Sequence, residues 1–541
     1  MRSELLSRLR HDLAHSRFTV AELAGAGTPS AGILGQQGGA ALFRGERIAA
    51  RRQLEARMHG DSEERASCVL ALLFILGYAQ PADDVAAALP TLGLEGAVSL
   101  GLIEIVDLDD GATVRPLVDL RPYSFADSVG EASWWIASDL GEMALQGPLR
   151  EDHVLGIGGA STTLSGLMIP RRVERALDLG TGCGIQALHA ARHAAVVVAT
   201  DISQRALDFA ALNAELNLVD GIEFRLGSLF EPVAGETFDH IVSNPPFVIT
   251  PRVPGVPAYE YRDGGMVGDD LVATVVARTA AHLAPGGIAQ YLGNWETGAG
   301  AGGGAGAGSS HSKRGAYSVL DWAERGTTPL DVWVVEREVQ DVTTYAETWI
   351  RDGGTRSGTP EFERLYEAWL DDFEARHVRE VGFGYITLRR PVEGVAGAGD
   401  GDRIERLERI ERLAGGLGSN DVGLGGHLLE CLDASAWLRA TTDDLLLTTA
   451  LRVAGDVTEE RHYWPGNDDP TVLTLRQGGG FARTVESGTA LSALVGASDG
   501  ELSVGAIIGA LAQLLGADED ALRDELLPRV RELVADGMLR Y

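Results

Sequence analysis

Cysteine, lysine and long apolar runs are scarce in this 541-residue chain. The three cysteines, Cys68, Cys183 and Cys431, are too far apart for a disulfide framework or a Cys-x-x-Cys metal site. Lysine occurs once, at Lys313, so arginine carries nearly all the positive charge. The longest apolar runs are far shorter than a membrane span, and the amino terminus is polar and charged, unlike a signal peptide. We therefore expect a cytoplasmic protein without a metal ion or a membrane partner.

Positive charge is also in deficit overall. The chain has 46 basic and 78 acidic residues, a net charge of -32, which argues against binding of long nucleic acids by bulk charge. The imbalance is uneven, because residues 1–60 contain nine Arg and five acidic residues, whereas residues 401–541 contain thirteen Arg and twenty-four acidic residues. A polyanion would therefore contact the amino-terminal side, and the acidic carboxyl-terminal part suits a protein partner better.

Among what is present, the stretch Ala176–Gly184 is the most informative. It reads Ala-Leu-Asp-Leu-Gly-Thr-Gly-Cys-Gly, an apolar strand that breaks into alternate glycines before a helix opens at Ile185. Without a Cβ, Gly180, Gly182 and Gly184 can adopt positive φ and let the backbone approach a nucleotide-like ligand. A dinucleotide fingerprint places its third glycine one residue later, so the spacing favours S-adenosylmethionine while leaving NAD open.

A carboxylate follows the next apolar strand. Val196–Thr200 ends in Asp201, which puts an acidic side chain at the tip of the neighbouring strand, where a ribose diol lies in such folds. This position suits S-adenosylmethionine and NAD equally well.

A third strand, Phe238–Val242, ends in Ser-Asn-Pro-Pro-Phe at 243–247. The prolines remove two N–H donors and stiffen the backbone. The Asn244 side-chain oxygen and the Pro245 carbonyl could accept the two hydrogens of an amino group, and Phe247 offers a face for a planar base or amide. This corner therefore predicts a site for an acceptor nitrogen.

From about residue 155 to 295 the chain resembles class I S-adenosylmethionine-dependent methyltransferases. The resemblance is to the group with an Asn-Pro-Pro-aromatic motif, which includes HemK-type release-factor glutamine methyltransferases, RsmC-type rRNA guanine-N2 methyltransferases and adenine-N6 methyltransferases. It implies that Asn244, Pro245 and Phe247 bind the target nitrogen. The cofactor residues that it implies are Asp178, Gly180, Thr181, Gly182, Gly184, Asp201, Ile202, Ser228 and Leu229.

One position departs from the family pattern. Family members usually carry an acid after the third strand to bind the adenine amine, but Ser228 stands at that place here. The resemblance therefore implies a weaker or displaced adenine contact. In the loop after the Asn-Pro-Pro-Phe corner, Tyr261 and Arg262 are candidate substrate contacts, with a solvated loop as the alternative.

The alternation of strands and helices predicts an α/β class: a doubly wound, Rossmann-like class I methyltransferase core over residues 151–395. Within it, 298–310 is a Gly-rich flexible insertion, Val381–Leu388 is expected to be the last strand, and 153–168 to cover the cofactor. We expect winged-helix-like α+β domains at 1–150 and 396–541, the latter acidic and containing an amphipathic helix at Ile404–Leu413.

These features predict an S-adenosylmethionine-dependent N-methyltransferase. The main expectation is transfer of methyl to an amino nitrogen of a nucleic-acid base, guanine N2 or adenine N6, in rRNA or tRNA. The alternatives are a protein glutamine, as in release-factor enzymes, and a small metabolite. The non-enzyme alternative is a winged-helix interaction protein whose cofactor site is unused.

Overall fold

The computed structural model describes residues 2–25, 32–58, 62–108, 111–145, 149–257, 259, 261–298, 314–392 and 406–541. The predicted flexible insertion at 298–310 lies outside the described residues after Gly298. Residues 393–405, which include the predicted boundary at 395/396, also lie outside them. The three-domain division stays a prediction.

A mixed sheet of eight strands forms the centre of the molecule. Its strands are β1 (Val173–Leu179), β2 (Ala194–Asp201), β3 (Ile222–Leu226), β4 (Phe238–Ser243), β5 (Leu283–Gly298), β6 (Asp331–Asp341), β7 (Val378–Arg389) and β8 (Glu408–Arg412). Their spatial order is β3-β2-β1-β4-β5-β7-β6-β8. Neighbours among β1 to β5 are parallel, β7 is antiparallel to both β5 and β6, and β8 is parallel to β6. The predicted doubly wound α/β fold is confirmed.

This strand order creates a crevice. The chain proceeds outward from β1 to β3 and then returns to β4 on the other side of β1, so the order reverses between β1 and β4. In open α/β sheets, ligands bind beyond the carboxyl ends of the strands at such a reversal. The ends of β1, β2 and β4 carry the three motifs that the sequence singles out.

Helices cover the sheet. They are α1 (Gly159–Leu167), α2 (Ile185–Ala190), α3 (Gln204–Leu216), α4 (Asp270–His282), α5 (Ser318–Glu324), α6 (Val342–Asp352), α7 (Pro360–Ala375) and α8 (Gly425–Ala440). The strand centres are fully buried between them, with Val197, Val198 and Ala199 at 0% exposure, which explains their continuous apolar runs.

The prediction of a helix at Ile404–Leu413 is wrong for the residues described, because Glu408–Arg412 forms β8. The mixed charged and apolar residues of this segment are compatible with the periodicity of a helix or of a strand. Hydrogen bonding to β6 makes the segment a strand. The Arg409 guanidinium lies 4.8 Å from the Trp333 ring centroid, and Trp333 Nε1 donates a hydrogen bond to Glu411 (2.8 Å). Because β8 follows β7 in the chain and belongs to the same sheet, the prediction that Val381–Leu388, within β7, is the last strand is also wrong.

The amino-terminal region is helical with a small sheet, as predicted. Its helices are Arg2–His15, Val20–Ala24, Gly35–Phe43, Ile48–Arg57, Ser62–Leu70 (continued by a π-helix, Ala71–Ile75), Ala82–Ala88, Gly93–Ser99 and Glu142–Leu145. A three-stranded sheet is formed by Gln80–Pro81, Ile103–Leu108 and Gly111–Pro116, the last two of which pair antiparallel. In addition, Asp119–Asp127 pairs with Gly130–Ser138.

The carboxyl-terminal region combines helices with short strands. After α8, the helices are Asp443–Thr448, Thr489–Ala497, Val504–Leu515 and Glu519–Ala535. The strands form two three-stranded sheets: Ala450–Val453, Asp499–Ser503 and Leu539–Arg540 in one, and Val457–His462, Val472–Gln477 and Thr484–Ser487 in the other.

The amino-terminal region contacts the core through α3. Asn213 Oδ1 accepts the N–H of Ala137 and Asn217 Oδ1 accepts the N–H of Trp135, both at 2.8 Å. These contacts fix the strand Gly130–Ser138 beside α3. The chain then leaves this strand and enters the segment that precedes α1, which places residues 153–161 next to the crevice.

Candidate active site

The glycine loop follows β1 and is braced on β2. The N–H groups of Gly180 and Thr181 both donate to the Thr200 carbonyl at 2.9 Å. Gly180 and Gly182 have φ of 74° and 54°, in the left-handed region that favours glycine, and a Cβ built on either meets no atom within 4 Å. The glycines are therefore required by backbone conformation, and they leave open space beside the loop.

Asp201 stands at the tip of β2 and holds this loop in place. Its Oδ2 accepts the N–H of Gly182 and its Oδ1 accepts the N–H of Ser203, both at 2.9 Å. Burial raises the pKa of the carboxyl, and these backbone amides act in the opposite direction. The carboxylate is fixed at the position that the sequence predicts.

Asp178, the last polar residue of β1, is 0% exposed. Its Oδ2 accepts a 2.5 Å hydrogen bond from Thr181 Oγ1, and its Oδ1 has no hydrogen-bond partner among the described residues. Burial raises the pKa of this carboxyl to about 7, and the negative charge of Asp201 contributes in the same direction.

A cavity of about 420 Å³ lies at the reversal of strand order. Nine of the predicted site residues line it: Gly180, Thr181, Gly182, Asp201, Ile202, Ser228, Leu229, Asn244 and Pro245. Asp178, Gly184 and Phe247 are not among its lining residues. Gly184 instead serves packing, since a Cβ there would come within 2.9 Å of Ala210 Cα in α3.

The Asn-Pro-Pro corner is tied to the glycine loop. Ser243 Oγ, at the end of β4, donates to the Leu179 carbonyl at the end of β1 (2.6 Å). The next residue, Asn244, has a buried Oδ1 without a hydrogen-bond partner among the described residues. Pro245 and Pro246 complete this wall of the cavity. The corner thus contains an amide oxygen, Asn244 Oδ1, that could accept a hydrogen bond from a ligand in the cavity.

The ring of Phe247 packs away from the cavity. Its centroid lies 5.4 Å from that of Phe383 and 6.5 Å from that of Trp349. The backbone of Phe247 pairs with Asp263, and this local pairing directs the side chain toward α6 and β7. The expected stacking face is therefore part of an apolar cluster that also contains Ile249 and Trp369.

The two candidate substrate contacts differ. Tyr261 lines the cavity, with its ring centroid 5.5 Å from that of His153, and burial raises the pKa of its hydroxyl. Arg262 is buried and structural, because its Nη1 donates to the Trp349 carbonyl (3.0 Å) and to Asp352 Oδ2 (2.7 Å).

Sequence reasoning missed the ion pair at the cavity wall. Arg252 forms a bidentate contact with Asp263, one bond of which is 2.9 Å between Nη1 and Oδ2, and its Nε donates to the Met266 carbonyl (3.1 Å). The Asp263 side chain is fully buried. Opposite charges eleven residues apart in a Pro- and Gly-containing loop carry no recognisable signal, so only the fold brings them together.

His153 begins the segment that the sequence predicts to cover the cofactor, and it lines the cavity. It is 4% exposed, and its Nδ1 lies 3.9 Å from Asp139 Oδ2. Burial lowers the pKa of the imidazole despite this carboxylate. The His153 ring and Ser161 of α1 are therefore part of the cavity lining, together with the Asn-Pro-Pro corner.

The residues present fit S-adenosylmethionine. Asp201 is a fixed carboxylate at the place of a ribose, the glycine loop leaves open space, and Asn244 offers an unpaired acceptor nearby. Over the described part of the chain, no group of three or more His, Cys, Asp or Glu could hold a metal ion. The described helices include none that is long and apolar enough to cross a membrane.

The fold and the site together define a class I methyltransferase domain. Residues 158–298 match the family described as "Methyltransferase small domain", so this segment is a class I S-adenosylmethionine-dependent methyltransferase domain, as the sequence predicts. Residues 17–116 and 429–541 match two families described as domains of unknown function, DUF7059 and DUF7782.

Two relatives of this segment are named as glutamine methyltransferases. The ribosomal protein uL3 glutamine methyltransferase of Bradyrhizobium diazoefficiens is 36% identical over 151 residues, 26% of this chain and 46% of that protein. The release factor glutamine methyltransferase of Xylella fastidiosa is 40% identical over 135 residues, 23% of this chain and 49% of that protein. The chain thus spans about half the length of these relatives. Both names state a protein glutamine as the substrate of those relatives, and neither states a nucleic-acid base.

Among solved structures, the T. thermophilus 16S rRNA methyltransferase RsmC, in complex with AdoMet and guanosine, is similar with a TM-score of 0.24 and 21% identity. The match covers 43% of this chain and 62% of that one.

Proposed function

We propose that the protein is an S-adenosylmethionine-dependent N-methyltransferase whose acceptor is the side-chain amide of a protein glutamine. The observation that carries this proposal is the buried Oδ1 of Asn244, which has no hydrogen-bond partner among the described residues and belongs to a residue lining the same cavity as the glycine loop. Buried acceptors are normally paired, so this atom calls for an N–H donor from a ligand.

The Asn244 Oδ1 and the Pro245 carbonyl would accept the two N–H groups of the amide. Bound in the cavity, S-adenosylmethionine supplies a methyl group on a sulfonium. In the proposed transfer, a bond would form between the amide nitrogen and the methyl carbon as the carbon–sulfur bond breaks, and the nitrogen would lose one proton to water. Asn244 and Pro245 would act by orientation, which is the main requirement of such a displacement.

Glutamine is favoured over a nucleic-acid base for two reasons. The relatives with 36% and 40% identity are named for ribosomal protein and release factor glutamine. In addition, the Phe247 ring packs against Phe383 and Trp349 and does not line the cavity, so this residue offers no stacking face to a base.

The test is methylation of ribosomes and release factors with labelled S-adenosylmethionine and the purified protein. After the reaction, protein and RNA fractions are separated and the label in each is counted, and the modified residue is mapped by mass spectrometry. Label on a glutamine that disappears with Asn244→Ala supports the proposal. Label in the RNA fraction would establish the nucleic-acid alternative. No label in either fraction while the cofactor binds would leave the small-metabolite and the interaction-protein alternatives.

A further inference from the structure

The amino-terminal region contains two helices, Gly35–Phe43 and Ile48–Arg57, that are joined by the turn 44–47. At this turn the side chain of Phe43 is 94% exposed, more than any other large apolar residue that the structure describes, and Ile48 is 57% exposed. The Phe43 ring gains almost no burial from folding of the chain, so it is available for contact with a partner. We call residues 43–52 the helical tip.

The helical tip is positively charged. It contains four Arg and one Glu, whereas the whole chain has 46 basic and 78 acidic residues. A local excess of positive charge on an acidic protein favours contact with an anionic partner at that place.

Two arginines of the helical tip are structural. Arg47 Nη1 donates a hydrogen bond to the Leu76 carbonyl (2.8 Å). The guanidinium groups of Arg47 and Arg51 lie 4.2 and 5.2 Å from the centroid of the Tyr78 ring. These contacts attach the tip to the rest of the amino-terminal region.

The other two arginines, Arg44 and Arg52, are exposed and have no side-chain hydrogen bond or ion pair among the described residues. Arg44 follows Phe43 directly, and Arg52 lies one helical turn after Ile48 on the same face of the second helix. The single carboxylate of the tip, Glu46, leaves this charge only partly compensated. The tip therefore combines an exposed aromatic ring with two available guanidinium groups.

This combination matches the chemistry of a single-stranded nucleic acid. Aromatic side chains stack on unpaired bases, and arginine side chains bind the phosphates of the strand. A duplex fits less well because its base faces are already stacked. An acidic protein segment would supply negative charge, but its carboxylates offer no planar face to the Phe43 ring.

We propose that the helical tip binds single-stranded RNA, with Phe43 stacked on a base and Arg44 and Arg52 bound to phosphates. The RNA is a docking partner in this inference and is not the methyl acceptor. The choice of RNA over DNA rests on the proposed function, because a glutamine acceptor on a ribosome is surrounded by RNA.

The helical tip is joined to the cavity through a short series of contacts. Arg47 Nη1 also donates to a carbonyl of the short helix Glu142–Leu145 (3.4 Å). Glu142 lies against Gly354, where an added Cβ would be 2.9 Å from Glu142 Oε1. The carbonyl of the residue before Gly354 accepts a hydrogen bond from Tyr259 (3.4 Å), and Tyr259 lines the cavity. The tip is thus attached to the part of the fold that contains the proposed acceptor site.

The test measures binding of labelled oligonucleotides to the whole chain by fluorescence anisotropy, without S-adenosylmethionine or a methyl acceptor. The probes are single-stranded oligouridine, oligodeoxyuridine and an RNA duplex of the same length, and polyglutamate serves as a competitor. We expect oligouridine to bind most tightly. The logarithm of its affinity should fall with the logarithm of the salt concentration with a slope of about −1.4, as two phosphate contacts on a single strand predict.

Variants at the tip assign the binding to its residues. Phe43→Leu keeps an apolar side chain but loses the stacking face, so it should bind oligouridine about 10-fold more weakly, whereas Phe43→Trp should retain the binding. The double variant Arg44→Gln, Arg52→Gln should lose most of the salt dependence. Because these side chains are exposed, the melting temperatures of the variants should equal that of the unmodified protein.

Arg115→Gln is the matched control. Arg115 is also exposed and without a side-chain partner among the described residues, but it lies in the strand Gly111–Pro116, outside the tip. This variant should bind oligouridine within about twofold of the unmodified protein, with an unchanged salt dependence. A loss equal to that of the double variant at the tip would assign the binding to general charge and overturn the inference.

Three other results would also overturn it: no binding of oligouridine at low salt, binding of DNA or duplex at least as tight as that of oligouridine, and unchanged binding by Phe43→Leu. Polyglutamate that displaces the probe as effectively as unlabelled oligouridine would assign the tip to an acidic protein instead. Failure of the proposed function gives a different result, because labelling of glutamine would then be absent while binding of oligouridine remained.

Discussion

The two walls of the cavity are built in different ways. The cofactor wall consists of the glycine loop after β1, Gly180–Gly182, and of Asp201 at the end of β2. Asp201 accepts hydrogen bonds from the backbone N–H groups of Gly182 and Ser203. The acceptor wall begins with Asn244 and Pro245 but is completed by Arg252, Tyr261 and Asp263, which belong to a long excursion before α4. The first wall is a local motif, whereas the second depends on tertiary contacts. Substitutions should therefore separate into those that change cofactor affinity and those that change turnover.

The largest effect is expected for Asn244→Ala on the acceptor wall. Loss of the amide oxygen misplaces the acceptor nitrogen, so kcat/KM for the methyl acceptor should fall by about 100-fold. Calorimetry with S-adenosylhomocysteine should give an unchanged Kd. A variant that loses cofactor affinity as well would show that the two walls are not separable.

The next largest is expected for Asp201→Asn on the cofactor wall. The substitution keeps the shape of the side chain but removes the charge that receives the N–H groups of Gly182 and Ser203. The Kd for S-adenosylhomocysteine should rise by about 10-fold, because hydrogen bonds to charged groups contribute about 1.5–3 kcal/mol. At saturating cofactor, kcat should change far less than in Asn244→Ala; an equal loss of kcat would contradict the comparison.

A smaller effect is expected for Phe247→Leu, since this ring packs against Phe383 and Trp349. The kcat/KM should fall by less than about threefold, whereas the loss of a base-stacking face would be expected to lower it by about 10-fold or more. Tyr261→Leu, which alters a ring that does line the cavity, is the matched comparison. A larger loss of kcat/KM in Phe247→Leu than in Tyr261→Leu would indicate that Phe247 contacts the methyl acceptor.

A separate effect, on stability rather than on catalysis, concerns the pH dependence of the protein without ligand. The pKa of Asp178 is about 7 in the folded protein, above the value of 3.8 for a free carboxyl. Between these two values the unfolded chain releases the proton while the folded protein keeps it, so the free energy of unfolding falls as pH rises. Urea unfolding at pH 5 and pH 7 should show this decrease, and Asp178→Asn should reduce it. The pKa of Asp201 is raised as well, so part of the decrease in the free energy of unfolding with pH should remain in Asp178→Asn.

The sequence predicted the features that depend on neighbouring residues. Gly180 and Gly182 adopt the positive φ expected of them, Asp201 stands at the strand tip, and Asn244 follows β4. It could not predict where Phe247 points, because that depends on backbone pairing with Asp263, sixteen residues later. The role of each site residue stays a prediction.

The strand β8, which comes from the predicted carboxyl-terminal domain, is the edge strand of the catalytic sheet. It covers β6 along five paired residues, Val332 to Glu336, and the Leu413 N–H adds a further bond to the Glu336 carbonyl (2.9 Å). Removing it would turn β6 into a bare template for intermolecular strand addition. A fragment ending at residue 392 should therefore self-associate, whereas a fragment extended past Leu413 should not. The catalytic sheet is thus completed by a strand that lies within the predicted carboxyl-terminal domain.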